Sequence, residues 1–284
     1  MSLPDLTAAI RANAAAALAE DTGSGDLTAQ LIPAEKVAVA HVMSRQKAIL
    51  CGVAWFEECF RQVDPRVEVT WCAEEGACVG AGQVLCEIRG PARALLTAER
   101  PALNFLQTLS ATATATRRYV EAAKGSKAKI LDTRKTLPGL RLAQKYAVKV
   151  GGGENQRVGL YDGILIKENH ILAAGGVRRA LEQARKLAPP GTPIQIEVEN
   201  LRELRQALDA GAKLILLDNF PVRMMREAVQ FTQGRAELEA SGGITLRGIA
   251  AIAQTGVDRI SIGSLTKDIQ AVDLSMRIEK SPAA

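Results

Sequence analysis

The sequence predicts an α/β fold: a parallel βα barrel, complete or partial, preceded by a small α+β sandwich. Three observations carry this reading. Apolar runs starting at 194, 213, 236 and 258 recur about 20 residues apart, the pace of βα units in a parallel sheet. Runs such as LILL (214–217) and ISI (260–262) are apolar without alternation, as strands covered on both faces require. Polar and charged residues follow the ends of these runs, where the site of a parallel barrel lies. An open doubly wound sheet is the second choice, weakened because no GxGxxG opens a βα unit.

Taken in order, residues 3–20 predict an amphipathic helix with Ile10, Ala14 and Leu18 on one face. The turn DTGSGD follows. From Val37 to Gly90 the pattern changes to short alternating runs, VAVAHVMS, KAILCG, RVEVTW, ACVG and QVLCEIRG, which read as strands. One helix, Val53 to Val63, interrupts them. Pro91 to Lys124 is helical with an expected break near Ser110. Strands are then expected at 129–132, 164–167, 194–199, 213–218, 236–241 and 258–262, with helices at 176–188, 201–210, 222–232 and 245–254. The expected organisation is a sandwich domain with its linking helix over 1–111, a barrel over 112–270, and a tail over 271–284 that packs back on the first domain.

Composition narrows the function. Apolar content of 47% with only 4% aromatics leaves Leu, Ile, Val and Ala to fill the core. The net charge of +5 is spread along the chain, without a Lys/Arg run or interleaved aromatics. That argues against a nucleic-acid partner and for anionic small molecules. The five cysteines form no CxxC pair and are odd in number, which points to small buried hydrophobes in a reducing cytoplasm. No apolar run is long enough to span a bilayer, so no membrane partner is expected. The Ala-rich start ends in Glu20 and Asp21 and reads as a helix, not a signal peptide.

The stretch LDTRKTLPGLRLAQKYAVKVGGGENQRVGLYDGILIKENH (131–170) is the richest in candidate chemistry. Arg134, Lys135, Arg157 and Lys167 sit at or near the ends of short apolar runs, where they suit a polyanion. Glu197, Asp218 and Glu239 are expected at later strand ends. Glu197 and Asp218 are the candidate metal pair, since magnesium is usually held by one or two carboxylates plus water and phosphate. Pairing with the nearby cations is the alternative. Ser241-Gly242-Gly243 and Gly263-Ser264 each follow a strand and open a helix, a combination suited to phosphate. Lys167 also admits a Schiff-base role, but several other cations are expected nearby, and anion binding fits better. Gly151-Gly152-Gly153 lacks the trailing Gly-Lys-Ser/Thr of a P-loop. His41 reads as an ordinary strand residue, and His170 as either a cap or a rim residue.

In order and spacing, GSGDLTAQLIP, ILCG, AERPALNFLQTLS, LDTRKTLPGLR, GGGENQR, LIKENH, IEVEN, LILLDNF, EASGGIT and ISIGSLTKD resemble the quinolinate phosphoribosyltransferase family over nearly the whole chain. The resemblance implies an N-terminal α+β open sandwich plus an incomplete parallel βα barrel. It implies a cytoplasmic, Mg2+-dependent reaction: quinolinate and phosphoribosyl pyrophosphate give nicotinate mononucleotide, carbon dioxide and pyrophosphate, a step of NAD biosynthesis. By family motif, Thr133, Arg134, Lys135, Gln156, Arg157 and Lys167 would surround the quinolinate carboxylates and the sugar-phosphate donor. Glu197 and Asp218 would face the ribose and its metal-bound pyrophosphate. Lys135, Lys167, Glu197 and Asp218 would carry the catalysis. Ser241, Gly242, Gly243, Gly263 and Ser264 would hold the 5′-phosphate. Arg100 would reach the site of a neighbouring subunit, which implies a homodimer or higher even oligomer with shared sites.

One position departs from the family pattern. GGGxNHR is common there, and this chain has Asn155-Gln156-Arg157. Gln keeps a hydrogen-bond donor but cannot become cationic. The rival readings are a phosphate- or carboxylate-binding sensor, or a molybdenum-transport paralogue, on the same scaffold. The intact DTRKT and IKENH runs argue against the paralogue. A βα-barrel lyase using Lys167 is a third reading.

Overall fold

The structure, a computed structural model, describes residues 3–279. In chain order the elements are α1 (Thr7–Thr22), β1 (Val37–Ser44), β2 (Ala48–Ile49), α2 (Val53–Val63), β3 (Glu68–Trp71), β4 (Cys78–Val79), β5 (Val84–Pro91) and α3 (Ala92–Ala122). There follow β6 (Lys129–Leu131), α4 (Arg141–Val150), β7 (Ile164–Ile166), α5 (Glu168–Ala174), α6 (Val177–Leu187), β8 (Ile194–Val198) and α7 (Leu201–Asp209). The last are β9 (Leu214–Asp218), α8 (Val222–Thr232), β10 (Glu237–Ser241), α9 (Ile249–Ala253), β11 (Arg259–Ser261), α10 (Ser264–Lys267) and β12 (Leu274–Ile278).

The chain divides into two compact units. One contains the chain up to Arg117, Thr136–Gly152, and the segment from Thr266 onward. Its four-stranded antiparallel sheet has the order β12-β1-β5-β3. The core beneath it gathers Trp55, Phe56, Phe60, Leu85, Ile88, Leu95 and Leu106, all buried. Trp55 stacks at 5.5 Å on Tyr146, and Phe56 packs edge-on to Trp71 at 5.3 Å. Ala14 and Leu18 of α1 are buried, with Ile10 packed partly against the same core. The tail returns as β12, pairing Met276 with Val42 of β1. Its residues 280–284 lie outside the described part.

One sequence expectation changes here. The expected break near Ser110 does not occur, and α3 runs unbroken. Ser110 Oγ accepts from Cys51 N–H at 2.9 Å and donates to Cys51 O at 3.2 Å, so the serine latches a neighbour and leaves the helix intact. The compact units are discontinuous along the chain, because α4 belongs with the first of them. Its face of Ala143 and Ala147 is buried in the core with Trp55. Of the cysteines, Cys51, Cys59 and Cys86 are buried and Cys72 and Cys78 exposed. Burial pushes the Cys59 thiol up to about 12.

The other unit, Arg118–Lys135 with Gly153–Leu265, is built on a six-stranded parallel sheet of order β6-β11-β10-β9-β8-β7. Five consecutive βα units place the strands side by side, so their C-terminal ends share one rim. β6 and β7 are the edges. The Glu154 segment bridges onto β6, with Glu154 N–H donating to Ile130 O at 2.8 Å. The strand cores Ile196, Ile215, Leu217, Ala240 and Ile260 are fully buried, while α6, α7 and α8 bury one face each. Among the described residues no helix is long and apolar enough to cross a membrane.

Candidate active site

The rim begins at β6. Asp132 follows the strand and is fully buried; Thr133, Arg134 and Lys135 then turn outward. Lys135 N–H donates to Thr133 Oγ1 at 3.1 Å, which fixes the turn. Gly263, past the end of β11, faces the same loop. A Cβ there would lie 3.0 Å from Lys135 Cδ and 3.6 Å from Thr133 Oγ1, so the glycine is where the lysine stem passes. Ser264 comes next, with a buried Oγ that has no hydrogen-bond partner among the described residues.

Asn155, Gln156 and Arg157 bring a third cation, Arg157, to this edge. Asp132 anchors the segment from below, accepting from Asn155 Nδ2 at 2.6 Å and from Gln156 N–H at 2.8 Å. Arg157 Nη1 donates to Gly163 O at 2.8 Å. Burial and the neighbouring Arg134 hold the Arg157 guanidinium below its ordinary pKa, partly offset by Asp162. The sequence reading expected Gln156 to offer its amide to substrate. Instead Nε2 donates to Glu239 Oε2 and, at 3.3 Å, to Gln195 Oε1, so both amide hydrogens are engaged inside the sheet. Glu239 is correspondingly not at a strand end. It is the middle residue of β10 and 1% exposed.

β7, β8, β9 and β10 supply the remaining groups. Lys167 follows β7, with Nζ 3.7 Å from Glu197 Oε2 at the end of β8. Burial is the largest influence on Glu197 and raises its pKa. Lys167 works against that, while Asp218 and Glu168 add to it. His170 is a cap: its Nδ1 accepts from Lys167 N–H at 3.0 Å. Asp218 ends β9 in register with Ser241, the last residue of β10. Asn219, the residue after Asp218, takes a left-handed φ of 54°. Its N–H donates to Ser241 O at 3.0 Å and its Nδ2 to Asp218 Oδ2 at 2.8 Å, so it orients the carboxylate. Gly242, at φ +99°, lies against it; a Cβ there would fall 2.0 Å from Asn219 Oδ1. A polar residue one past a strand-end carboxylate, one βα unit before Gly242-Gly243, is the signal available for Asn219.

The rim therefore joins Thr133, Arg134, Lys135, Gly263 and Ser264 at one end, and Lys167, Glu197, Asp218, Ser241 and Gly242 along the other strand ends. Arg100 is in the other unit, exposed on α3, with Nη2 3.9 Å from Glu99 Oε1. No group of three or more His, Cys, Asp or Glu is arranged to hold a metal by itself among the described residues. Glu197, whose raised pKa owes most to burial and something to Asp218, stands with Asp218 as the kind of carboxylate pair that Mg2+ accepts alongside water and phosphate oxygens.

Known proteins match the chain across the segments that carry these residues. The quinolinate phosphoribosyl transferase N-terminal domain matches residues 26–110, and the C-terminal domain of that name matches residues 112–277. The nicotinate-nucleotide pyrophosphorylase [carboxylating] of Mycobacterium leprae is 44% identical over 269 residues, 92% of this chain and 94% of that protein. A quinolinate phosphoribosyltransferase [decarboxylating] of Nicotiana tabacum is 39% identical over 283 residues, 93% of this chain and 80% of that one. The solved structure of the Francisella tularensis nicotinate-nucleotide pyrophosphorylase superposes with a TM-score of 0.94 at 44% identity, covering 98% of both chains.

Proposed function

Because the chain belongs to the quinolinate phosphoribosyltransferase family, we infer that it transfers the phosphoribosyl group of phosphoribosyl pyrophosphate to quinolinate and removes one carboxylate. The products are nicotinate mononucleotide, carbon dioxide and pyrophosphate. One observation carries the reading to the site: Arg134 and Arg157 stand close enough for one to depress the pKa of the other. Two guanidiniums gathered on one edge are repulsive in the free protein, and a bound dicarboxylate offsets that repulsion.

The residues divide the work by charge. Arg134, Arg157 and Lys167 hold the dicarboxylate so that the pyridine nitrogen faces the anomeric carbon. Ser241, Gly242, Gly243, Gly263 and Ser264 hold the 5′-phosphate, where missing side chains let backbone N–H groups approach. As the C–O bond to pyrophosphate breaks, the anomeric carbon gains oxocarbenium character and the pyridine nitrogen donates its electron pair to it. Lys135 stabilises the charge on the departing pyrophosphate. Glu197 and Asp218 would hold magnesium, which supplies electrostatic stabilisation of that leaving group when bound. As carbon dioxide leaves, the electron pair of the C–C bond stays at C2, where the adjacent pyridinium nitrogen stabilises it, and one proton from water then bonds to C2 to complete the nucleotide. Little proton transfer is needed, which suits a rim rich in Lys and Arg whose one histidine is a cap.

We further propose that Arg100 of the partner subunit completes each carboxylate site in a two-fold dimer. The reaction reading is tested by following pyrophosphate release from phosphoribosyl pyrophosphate with magnesium. Release that requires quinolinate supports it; release that ignores quinolinate, or no release, contradicts it.

A further inference from the structure

We propose that Glu239 is a positioning residue for the dicarboxylate end of the site, acting through Gln156 and Gln195. Glu239 is 1% exposed, in the middle of β10. Its Oε2 accepts from Gln156 Nε2 and, at 2.9 Å, from Gln195 Nε2 of β8. Gln156 Nε2 also donates to Gln195 Oε1 at 3.3 Å, so the three side chains close a ring across the inside of the sheet. Glu239 Oε1 is buried and takes no hydrogen bond among the described residues.

This is an expensive arrangement for mere packing. A carboxylate held by neutral amides, with one oxygen orphaned, is less stable than a leucine filling the same space. Buried groups that break such rules cluster where geometry serves function. What the ring fixes is residue 156, directly before Arg157. Asp132 pins its backbone N–H from β6 at 2.8 Å, while Glu239 and Gln195 pin its side chain from β10 and β8. Residue 156 is thus clamped from both sides, and the Cα of Arg157 is fixed with it. Gln156 serves as a strut for the neighbouring cation, its donors turned inward.

The inference rests on the proposed reaction, so its test includes a readout independent of it. In Glu239→Ala the KM for quinolinate is expected to rise about tenfold, with kcat and the KM for phosphoribosyl pyrophosphate within about twofold, the pattern of a lost binding contact. The sign is diagnostic. Deleting a carboxylate near a dianion site would lower that KM if Glu239 acted only through its charge. Gln156→Ala should give a similar rise, and the double variant should be no worse than the worse single one, since both changes cut the same linkage. Glu239→Gln keeps the volume and an acceptor and should recover most of the loss; it also serves if the alanine variant does not fold. Independently of turnover, the Gln156 side-chain amide in a nitrogen-labelled sample should exchange slowly with solvent and lose that protection in Glu239→Ala. A wild type that is inactive on quinolinate yet shows the protected amide overturns the reaction and leaves the clamp. An unchanged or lowered KM for quinolinate, additive effects in the double variant, or an amide unaffected by Glu239→Ala overturns the clamp.

Discussion

Lys167 Nζ stands 3.7 Å from Glu197 Oε2, and the pair links the cationic end of the rim to its carboxylate end. Burial raises the Glu197 pKa first; Lys167 opposes this, and Asp218 and Glu168 reinforce it. Lys167→Met should therefore move the Glu197 pKa higher still, and Asp218→Asn should move it down, as read by carbon NMR titration of the Glu197 carboxyl. By linkage, the raised folded-state pKa contributes stability below the unfolded value, and this is lost as pH rises through the folded one. An unchanged Glu197 pKa in both variants would show that burial alone sets the titration.

Gly242 and Asn219 cannot separate. Alanine at 242 would need φ +99° and a Cβ 2.0 Å from Asn219 Oδ1. Gly242→Ala should lower stability by about 1–3 kcal/mol, the usual cost of such strain, and weaken binding of the phosphoribosyl donor. Calorimetry and the donor KM check this. A silent substitution would mean that the Asn219 turn is free to move.

Gln156→His places an imidazole beside the Glu239 carboxylate, because residue 156 faces inward. The neighbouring charge should raise the His pKa above its ordinary value of about 6.5. Any gain in quinolinate affinity from the added cation should therefore be full below about 6.5, extend above it, and fade as pH rises through the raised pKa. The same affinity change at every pH would show hydrogen bonding, not charge, to be responsible.

Much of this was legible in the sequence, because most barrel strands are mainly apolar and are followed or closed by a polar residue. That pattern located Lys135, Lys167, Glu197, Asp218 and Ser241. What it missed followed from tertiary context. Glu239 has a strand-end appearance, since Ser241-Gly242-Gly243 follows it closely, yet two more residues of β10 pair with β9 before the turn. The amide of Gln156 looks like a donor to substrate until the positions of Gln195 and Glu239, 39 and 83 residues away, are known. The membership of α4 in the other unit depends on where Ala143 and Ala147 pack, which local periodicity does not encode.

The shared-site arrangement is open to a mixing experiment. Arg100→Ala and Lys135→Ala should each lose all but about a hundredth of the activity. Equal mixing of the two chains makes about half of the dimers mixed, and each of these has one intact site, so about a quarter of wild-type activity should return under unbiased two-fold pairing. Mixed dimers that form and stay inactive place Arg100 within its own chain or outside the site.

The central claim is that the rim makes a pyridinium whose 2-carboxylate then leaves. It is tested most directly with quinolinate carrying labelled carbon in the 2-carboxyl or the 3-carboxyl group. With phosphoribosyl pyrophosphate and magnesium present, the 2-label should appear as carbon dioxide, one for each pyrophosphate formed, and the 3-label should remain in the nucleotide. Lys135→Ala should slow both releases together, on the order of a hundredfold, as loss of one preorganised charge in a transition state does. Labelled carbon dioxide without pyrophosphate, or pyrophosphate without carbon dioxide, would contradict the account.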